Sequence, residues 1–313
     1  MKKTISIIIW VIAVVSAFTV GCTRVASSSN DFSGQTTGYD SLRNELEKIA
    51  ASVDGRVGIA LIAPEGDTLT VNNDDEYQLM SVFKLHEALA VAHVLDCRGI
   101  AFDTIVSIRR TELSPDTWSP MYEEHTEENI EISVRELLRY ILQQSDNNAS
   151  NYLFDEFVSV ADCDKFIRSA TGIGDFKLTY TEGEMQRNHV LADGNHSSPL
   201  ACARLMDKVF SDSIVSAEKQ RELQQILSDC HTGTDRIYVP LEGEQGVTLA
   251  HKTGSGYRTA EGILMAHNDV GRVALSDGRS YILAVLVKDF NGDESEASKV
   301  IARISGIVYN SFK

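Results

Sequence analysis

The chain is short of positive charge. Of its 313 residues, 29 are Lys or Arg against 45 Asp or Glu, a formal −16. That balance denies it the basic face that nucleic acid or an anionic lipid surface rewards. It also lacks a low-complexity block and any internal repeat, and 43% of it is hydrophobic, the texture of a packed globule. Its length suffices for one large domain or two lobes sharing a cleft. Cysteine is sparse, with five in all and no CxxC pair. With Cys22 set aside, Cys97, Cys163, Cys202 and Cys230 lie far apart, so three pairings or none are open. Buried free thiols acting as small hydrophobes are the plainer expectation. No HExxH is present either. HEALAVAH sets His86 and His93 seven apart rather than four, which fits packed or solvated helix residues. No metal and no cofactor is implied.

The N-terminus differs in kind. Lys2 and Lys3 precede an apolar run, ISIIIWVIAVVSAFTV, at positions 5–20. The run is short for a membrane span, and its flanks suit a secretory signal over 1–21. It ends at TVGC, so Cys22 stands as in a lipoprotein processing site, with a lipid anchor and a periplasmic destination as the expectation. Plain cleavage and a retained anchor are the alternatives. Residues 22–37 are Ser/Thr/Gly-rich and read as a flexible tether.

From there the texture runs strand, helix, strand. SLRNELEKIAASV places Leu42, Leu46 and Ile49 on one helical face, and GRVGIALIAPEGDTLTVN alternates around a turn as a hairpin would. KLHEALAVAHVLD, SVRELLRYILQQ, NASNYLFDEFV and PLACARLMDKVF carry helical spacing. VTLAHKTG, GILMAHNDVGRVAL and SYILAVLVKDF then read as strands, before a closing helix, SEASKVIARISGIVYNSF. Strands at both ends pair most simply into one antiparallel sheet. The expected fold is α/β in class and α+β by content, with a sheet lobe over 38–76 and 238–313 and an all-α lobe over 77–237.

Three short motifs carry chemistry. MSVFKLHEALAV puts Ser81 and Lys84 on one helical face, where an ammonium reaches a hydroxyl. A serine needs a neighbouring base before it attacks, and a desolvated lysine supplies one. The spacing alone is weak, because SAEK repeats it at Ser216 and Lys219, read as a solvated helix start with a serine cap. Ser81 differs in the apolar residues around it. QQSDNNAS sets Ser145, Asp146 and Asn147 in a turn between helices, able to present a hydroxyl and an amide to a cleft. An Asx turn that merely caps the next helix is the plain alternative. AHKTGSG places Lys252 and Thr253 on a strand, with Gly254 and Gly256 admitting close approach of a ligand to the backbone.

In that order the three resemble the motif set of the penicillin-recognising serine enzymes. With 64 residues from Ser81 to Ser145 and 107 from Ser145 to Lys252, the chain is similar to a class A serine β-lactamase. Trp118-Ser119-Pro120 sits where that family usually has tyrosine-Ser-Pro at the cleft rim, and TGTDRI with Arg236 is similar to its TGxxRI segment. MSVFKLHEALAVAH, TWSPM and QSDNNASN look closest to the Bacteroides-type branch of extended-spectrum cephalosporinases. The likeness runs from Tyr39 to the C-terminus. It implies a β-lactamase/transpeptidase-like fold, a small β-lactam substrate and a monomer.

The resemblance also implies roles. Ser81 is the nucleophile, Lys84 and Glu182 share general-base work, and Ser145 passes a proton to the leaving nitrogen. Asn147 holds the substrate amide and steadies Lys84. Lys252, Thr253, Ser255 and Arg236 face its carboxylate, and backbone N–H groups of Ser81 and Ser255 form an oxyanion hole. The deacylating glutamate usually lies in E-x-x-L-N. TEGEMQRN, 181–188, reads as neither clean helix nor clean strand and offers two. Glu184 has Asn188 in place but Arg187 where leucine belongs; Glu182 has apolar Met185 there and Gln186 to hold the water. Glu182 is the choice. An arginine normally two residues before it is replaced by Tyr180. A D,D-peptidase lacking an effective deacylating glutamate, and a non-enzymatic β-lactam sensor, share the motifs and remain the rivals.

Overall fold

Alternating side chains make the central strands two-faced, and the chain covers both faces. The computed structural model describes residues 39–74 and 76–313. The expected signal segment 1–21, Cys22 and the expected tether 22–37 lie outside the described residues. In chain order come α1 (Asp40–Ala51), β1 (Arg56–Ile62), β2 (Thr68–Val71), β3 (Tyr77–Gln78), α2 (Lys84–Arg98), β4 (Ile105–Arg109), α3 (Pro120–Glu124) and β5 (Asn129–Ser133). Then follow α4 (Val134–Gln143), α5 (Asn147–Glu156), α6 (Val160–Thr171), β6 (Phe176–Lys177), α7 (Glu182–Arg187), β7 (His196–Ser197), α8 (Pro199–Ser211) and α9 (Ala217–Ser228). Three long strands and a helix close the chain: β8 (Thr248–Ser255), β9 (Leu264–Ala274), β10 (Ser280–Phe290) and α10 (Glu294–Phe312).

Five strands form one antiparallel sheet in the order β2-β1-β10-β9-β8. The two ends of the described chain meet where Ile59 pairs with Val285. Along β10, Tyr281, Leu283, Val285 and Val287 join one core with Leu42, Leu46 and Ile49 of α1 and Ile301, Ile304 and Val308 of α10. The alternate residues Ile282, Ala284 and Leu286 join a second core with α2, α4, α5 and α8. A register slip by one residue would exchange the two sets, so both cores fix the pairing. Each fully buried Leu or Ile contributes about 1.5–3 kcal/mol.

Sequence reading anticipates the sheet and the helices α1, α2, α4, α5, α8 and α10. It passes over the β4–β5 hairpin and the helices α3 and α6, whose apolar spacing is interrupted by polar residues, and of α9 it anticipates only the start, at SAEK. The four cysteines after Cys22 are free thiols. Only Cys163 and Cys202 are buried; Cys97 is exposed and Cys230 half-buried, so the expectation of buried thiols is corrected for those two. His86 and His93 pack against rings, on Phe176 and Phe166.

Candidate active site

Ser81 stands on a tight 3₁₀ turn, Met80–Phe83, that leads directly into α2. In a 3₁₀ turn residues three apart eclipse, and Lys84 Nζ therefore reaches Ser81 Oγ at 3.0 Å. The turn is held from the sheet. Asn268 of β9 donates to the carbonyls of Gln78 and Leu79 at 2.7 and 3.2 Å, and Gly254 of β8 packs on the same backbone. A Cβ at Gly254 would lie 2.6 Å from Leu79 O and 3.2 Å from Ser81 N. Gly256 likewise abuts Ala266. Both glycines thus admit close approach of the chain's own backbone, and Gly254 also lines the cleft. Met80 adopts φ 44° and Ser145 φ 56°, a conformation uncommon for residues other than glycine. Met80 precedes Ser81 and Ser145 is itself a predicted site residue, and such strain persists only under firm support.

The Ser145-Asp146-Asn147 turn serves both of its readings at once. Asp146 caps α5, accepting from Ala149 N at 2.8 Å, and also takes Met121 N at 2.7 Å and the Ser119 hydroxyl. That frees its neighbours for the cleft. Asn147 Oδ1 accepts from Lys84 Nζ at 2.7 Å while its Nδ2 donates to Thr117 Oγ1 at 3.0 Å. The Ser145 carbonyl accepts from Lys84 Nζ at 2.7 Å, and the Ser145 hydroxyl meets Lys252 Nζ. Both lysines are buried. Burial, reinforced by the like charge of Lys84, pulls Lys252 down to about 7.

TEGEMQRN folds as a single short helix, α7, and its two acids part company. Thr181 and Glu184 form a capping box: Thr181 Oγ1 takes Glu184 N, and Glu184 Oε2 takes Thr181 N at 2.9 Å. This is the S/T-x-x-E/Q start that satisfies orphan N–H groups. Glu182 is 2% exposed. Its Oε1 lies 3.0 Å from Ser81 Oγ and 2.8 Å from Lys84 Nζ. Met185, three residues on, is wholly buried. In place of an ion pair across the loop, the Asn195 side chain clamps the backbone. It accepts from Thr179 N and Tyr180 N at 2.8 and 3.0 Å and donates to Tyr180 O at 2.8 Å.

Of the remaining predicted residues, Trp118 is exposed on the rim, donating to Gln144 O at 2.8 Å. Arg236 is buried, with Nη2 on Ser255 Oγ at 2.7 Å and Nη1 on Asn268 O at 2.6 Å. Thr253, Ser255 and Arg236 share a cleft of about 500 Å³ with Ser81, Ser145, Asn147 and Glu182. Gln186 differs from its expected role as water holder. Its amide bridges the cleft mouth, donating to Asp116 O at 3.1 Å and accepting from Tyr257 OH at 3.4 Å. Sequence reasoning missed Asn268, Asn195 and Thr117. The run His267-Asn268-Asp269, polar and fully buried inside an apolar strand, was a readable signal for the first.

A serine joined to a buried lysine and a buried carboxylate, beside a second buried lysine and an arginine, is equipped to attack a carbonyl and hold an anion. Residues 41–312 match the family described as the beta-lactamase enzyme family. The chain belongs to that family. It is 46% identical over 269 residues to a beta-lactamase of Phocaeicola vulgatus, covering 86% of this chain and 84% of that one. It is 29% identical to the extended-spectrum beta-lactamase PER-1 of Pseudomonas aeruginosa, over 95% of this chain and 94% of that one. A solved class A beta-lactamase from Bacteroides cellulosilyticus superposes with a TM-score of 0.83 at 31% identity, covering 88% of this chain and 99% of that one. The class A fold accounts for the sheet and for the helices between its strands.

Proposed function

We propose that this β-lactamase opens β-lactam rings, cephalosporins foremost and penicillins also, through an acyl-enzyme on Ser81, and so confers antibiotic resistance. One observation carries the reading: a single oxygen of Glu182 contacts both Ser81 Oγ and Lys84 Nζ. Lys84 or Glu182 takes the hydroxyl proton as Ser81 attacks the ring carbonyl. The oxyanion forms against the N–H groups of Ser81 and Ser255. Ser145, held between the Lys84 and Lys252 heads, returns a proton to the departing nitrogen, and Lys252, Thr253, Ser255 and Arg236 hold the substrate carboxylate. Glu182 then activates water against the ester. A D,D-peptidase acylates in the same way but stalls at this last step.

The test is Glu182→Gln, which keeps shape and hydrogen-bonding reach but removes the base. Loss of general-base help costs about 10²–10⁴-fold, or roughly 3–5 kcal/mol of barrier. Intact-protein mass spectrometry with a cephalosporin should then show a lasting adduct on Ser81. Rapid turnover with no adduct would remove Glu182 from the mechanism.

The protein is further proposed to be a monomeric periplasmic lipoprotein anchored through Cys22. Its charged N-terminus, apolar run and TVGC junction support that reading, and one chain supplies every site residue. Among the described residues no helix is long and apolar enough to cross a membrane. Cys22→Ser should move activity from the membrane to the soluble periplasmic fraction with turnover intact. Soluble activity in both proteins would point instead to plain cleavage, and membrane-bound activity in both to a retained anchor.

A further inference from the structure

One turn beyond Lys84 on α2 stands Glu87, wholly buried. Its Oε2 accepts from the Ser150 hydroxyl of α5 at 2.7 Å, and Ser150 is wholly buried too. The spacing matches on the two helices. Glu87 follows Lys84 by three residues and Ser150 follows Asn147 by three, so each pair shares a helical face. Lys84 Nζ meets Asn147 Oδ1 at 2.7 Å, and Glu87 meets Ser150 one turn further along. Two polar rungs therefore join α2 to α5. The start of α5 is also held through Asp146, on Met121 N and the Ser119 hydroxyl. Those bonds run to the start of α3 and do not set the distance to α2.

The outer rung fits an uncharged acid. An ionised carboxylate has about four acceptor sites to satisfy. Glu87 finds one donor, and its Oε1 has no hydrogen-bond partner among the described residues. Nor does any cation there pair with it, because Lys84 directs its ammonium to Ser81, Ser145, Asn147 and Glu182. A buried anion left in that state costs far more than a neutral acid with one bond. Burial accordingly holds the Glu87 carboxyl well above the usual carboxylate range. The Ser150 bond and the Lys84 charge pull against it, and the Glu182 charge adds to it. The neighbouring titratable group of α6 is Cys163, a thiol that burial also raises.

We propose that Glu87 is a positioning residue of the active site: as a neutral acid bonded to Ser150, it sets the approach of α5 to α2 that keeps Asn147 and the Ser145 carbonyl on Lys84. It touches no substrate. If the outer rung opens, the start of α5 moves away from α2, and Lys84 loses the two acceptors that aim its Nζ at Ser81. The proposal rests on the β-lactam reading for its rate measurements alone.

Three variants of the full chain test it, by Ser81 acylation with a cephalosporin, by steady-state turnover and by thermal unfolding. Glu87→Gln keeps the shape and a partner for the Ser150 hydroxyl, so turnover should stay within about twofold. Ser150→Ala should slow acylation about tenfold with little change in KM, well inside the loss that a misplacement of about 1 Å can cause. Glu87→Leu combined with Ser150→Ala removes both polar partners at once. It should unfold near the unaltered midpoint and still acylate as slowly as Ser150→Ala. A normal rate in that double variant would make the rung merely structural and overturn the proposal. A Glu87→Gln protein as slow as Ser150→Ala would overturn it too, and so would a normal rate in Ser150→Ala, which decides the matter if the double variant does not fold. A difference infrared spectrum between the unaltered protein and Glu87→Gln needs no β-lactam. At neutral pH it should show the carbonyl stretch of a protonated carboxyl, and a carboxylate band in its place would refute the neutral acid. Absence of any turnover in the unaltered protein would instead sink the β-lactam reading, so the two failures are distinguishable.

Discussion

The protein contains the S-x-x-K spacing twice, and the two copies have opposite fates. At Ser81 and Lys84 the pair lies inside the protein, with Lys84 wholly buried and bonded to Ser81, Ser145, Asn147 and Glu182. At Ser216 and Lys219 it starts α9 near the surface. There Asp96 does the work, accepting from Ser216 N at 2.7 Å and pairing with Lys219 Nζ at 2.8 Å. Ser216 stands at the N-cap but makes no side-chain cap bond, and Lys219 is an ion-paired lysine, not a solvated one, which corrects the sequence expectation on both counts. Spacing brings a hydroxyl and an ammonium onto one face; it does not make a base. A second buried charge, Glu182, and the exclusion of water do that.

The comparison breaks most sharply at the serines. Ser81→Ala should abolish the acyl adduct and lower cephalosporin turnover by about 10⁴-fold or more, as loss of a nucleophile does in enzymes whose catalytic groups act as a unit. Ser216→Ala should leave turnover within about twofold and change stability by less than about 0.5 kcal/mol, the usual range for a surface change away from a cap or core. Steady-state kinetics and thermal unfolding of both variants decide it. An adduct on the Ser81→Ala protein would put the nucleophile elsewhere.

A middle-sized effect sharpens the contrast between lysines in and out of water. Lys252 is drawn down to about 7 by burial and then by Lys84. Its ammonium is therefore present below that pH and lost above it. Because kcat/KM reports the free enzyme, it should fall about fivefold between pH 7 and 8 for a carboxylate-bearing β-lactam, from the fraction protonated at each pH. Lys252→Arg keeps the charge at both pH values and should flatten that limb. A limb that persists unchanged in the arginine variant would assign the titration to another group.

How far the sequence could be read follows from the same physics. Ser81, Lys84, Ser145 and Asn147 were legible because each motif is local and its geometry comes from one turn of backbone. The sheet was legible from alternation alone. Asn195 and Asn268 were not, because each acts on backbone outside its own segment, Asn195 on Thr179 and Tyr180 some 15 residues back and Asn268 on Gln78 and Leu79 across 189 residues or more. Nothing in the composition of a segment announces which distant carbonyl its amide will meet. Gln186 failed for a related reason. Its donors and acceptors were counted correctly, but Asp116 and Tyr257 had first use of them.

The smallest effect lies within TEGEMQRN itself, where two acids one glycine apart do different work. Glu184 accepts from Thr181 N at 2.9 Å and closes the capping box of α7. Glutamine serves that box as well as glutamate does, so Glu184→Gln forfeits only the favourable charge at the helix start, about 0.3–1 kcal/mol. Turnover should stay within about twofold and no adduct should accumulate. Glu184→Ala removes the acceptor of Thr181 N, leaving the Thr181 hydroxyl on the backbone N–H at 184, and should cost about 1 kcal/mol, read as a lower midpoint in urea. It should not stall deacylation, because Glu182 still reaches Ser81 and Lys84 through its own carboxylate. A stalled acyl-enzyme in Glu184→Gln, alongside normal turnover in Glu182→Gln, would exchange the two roles.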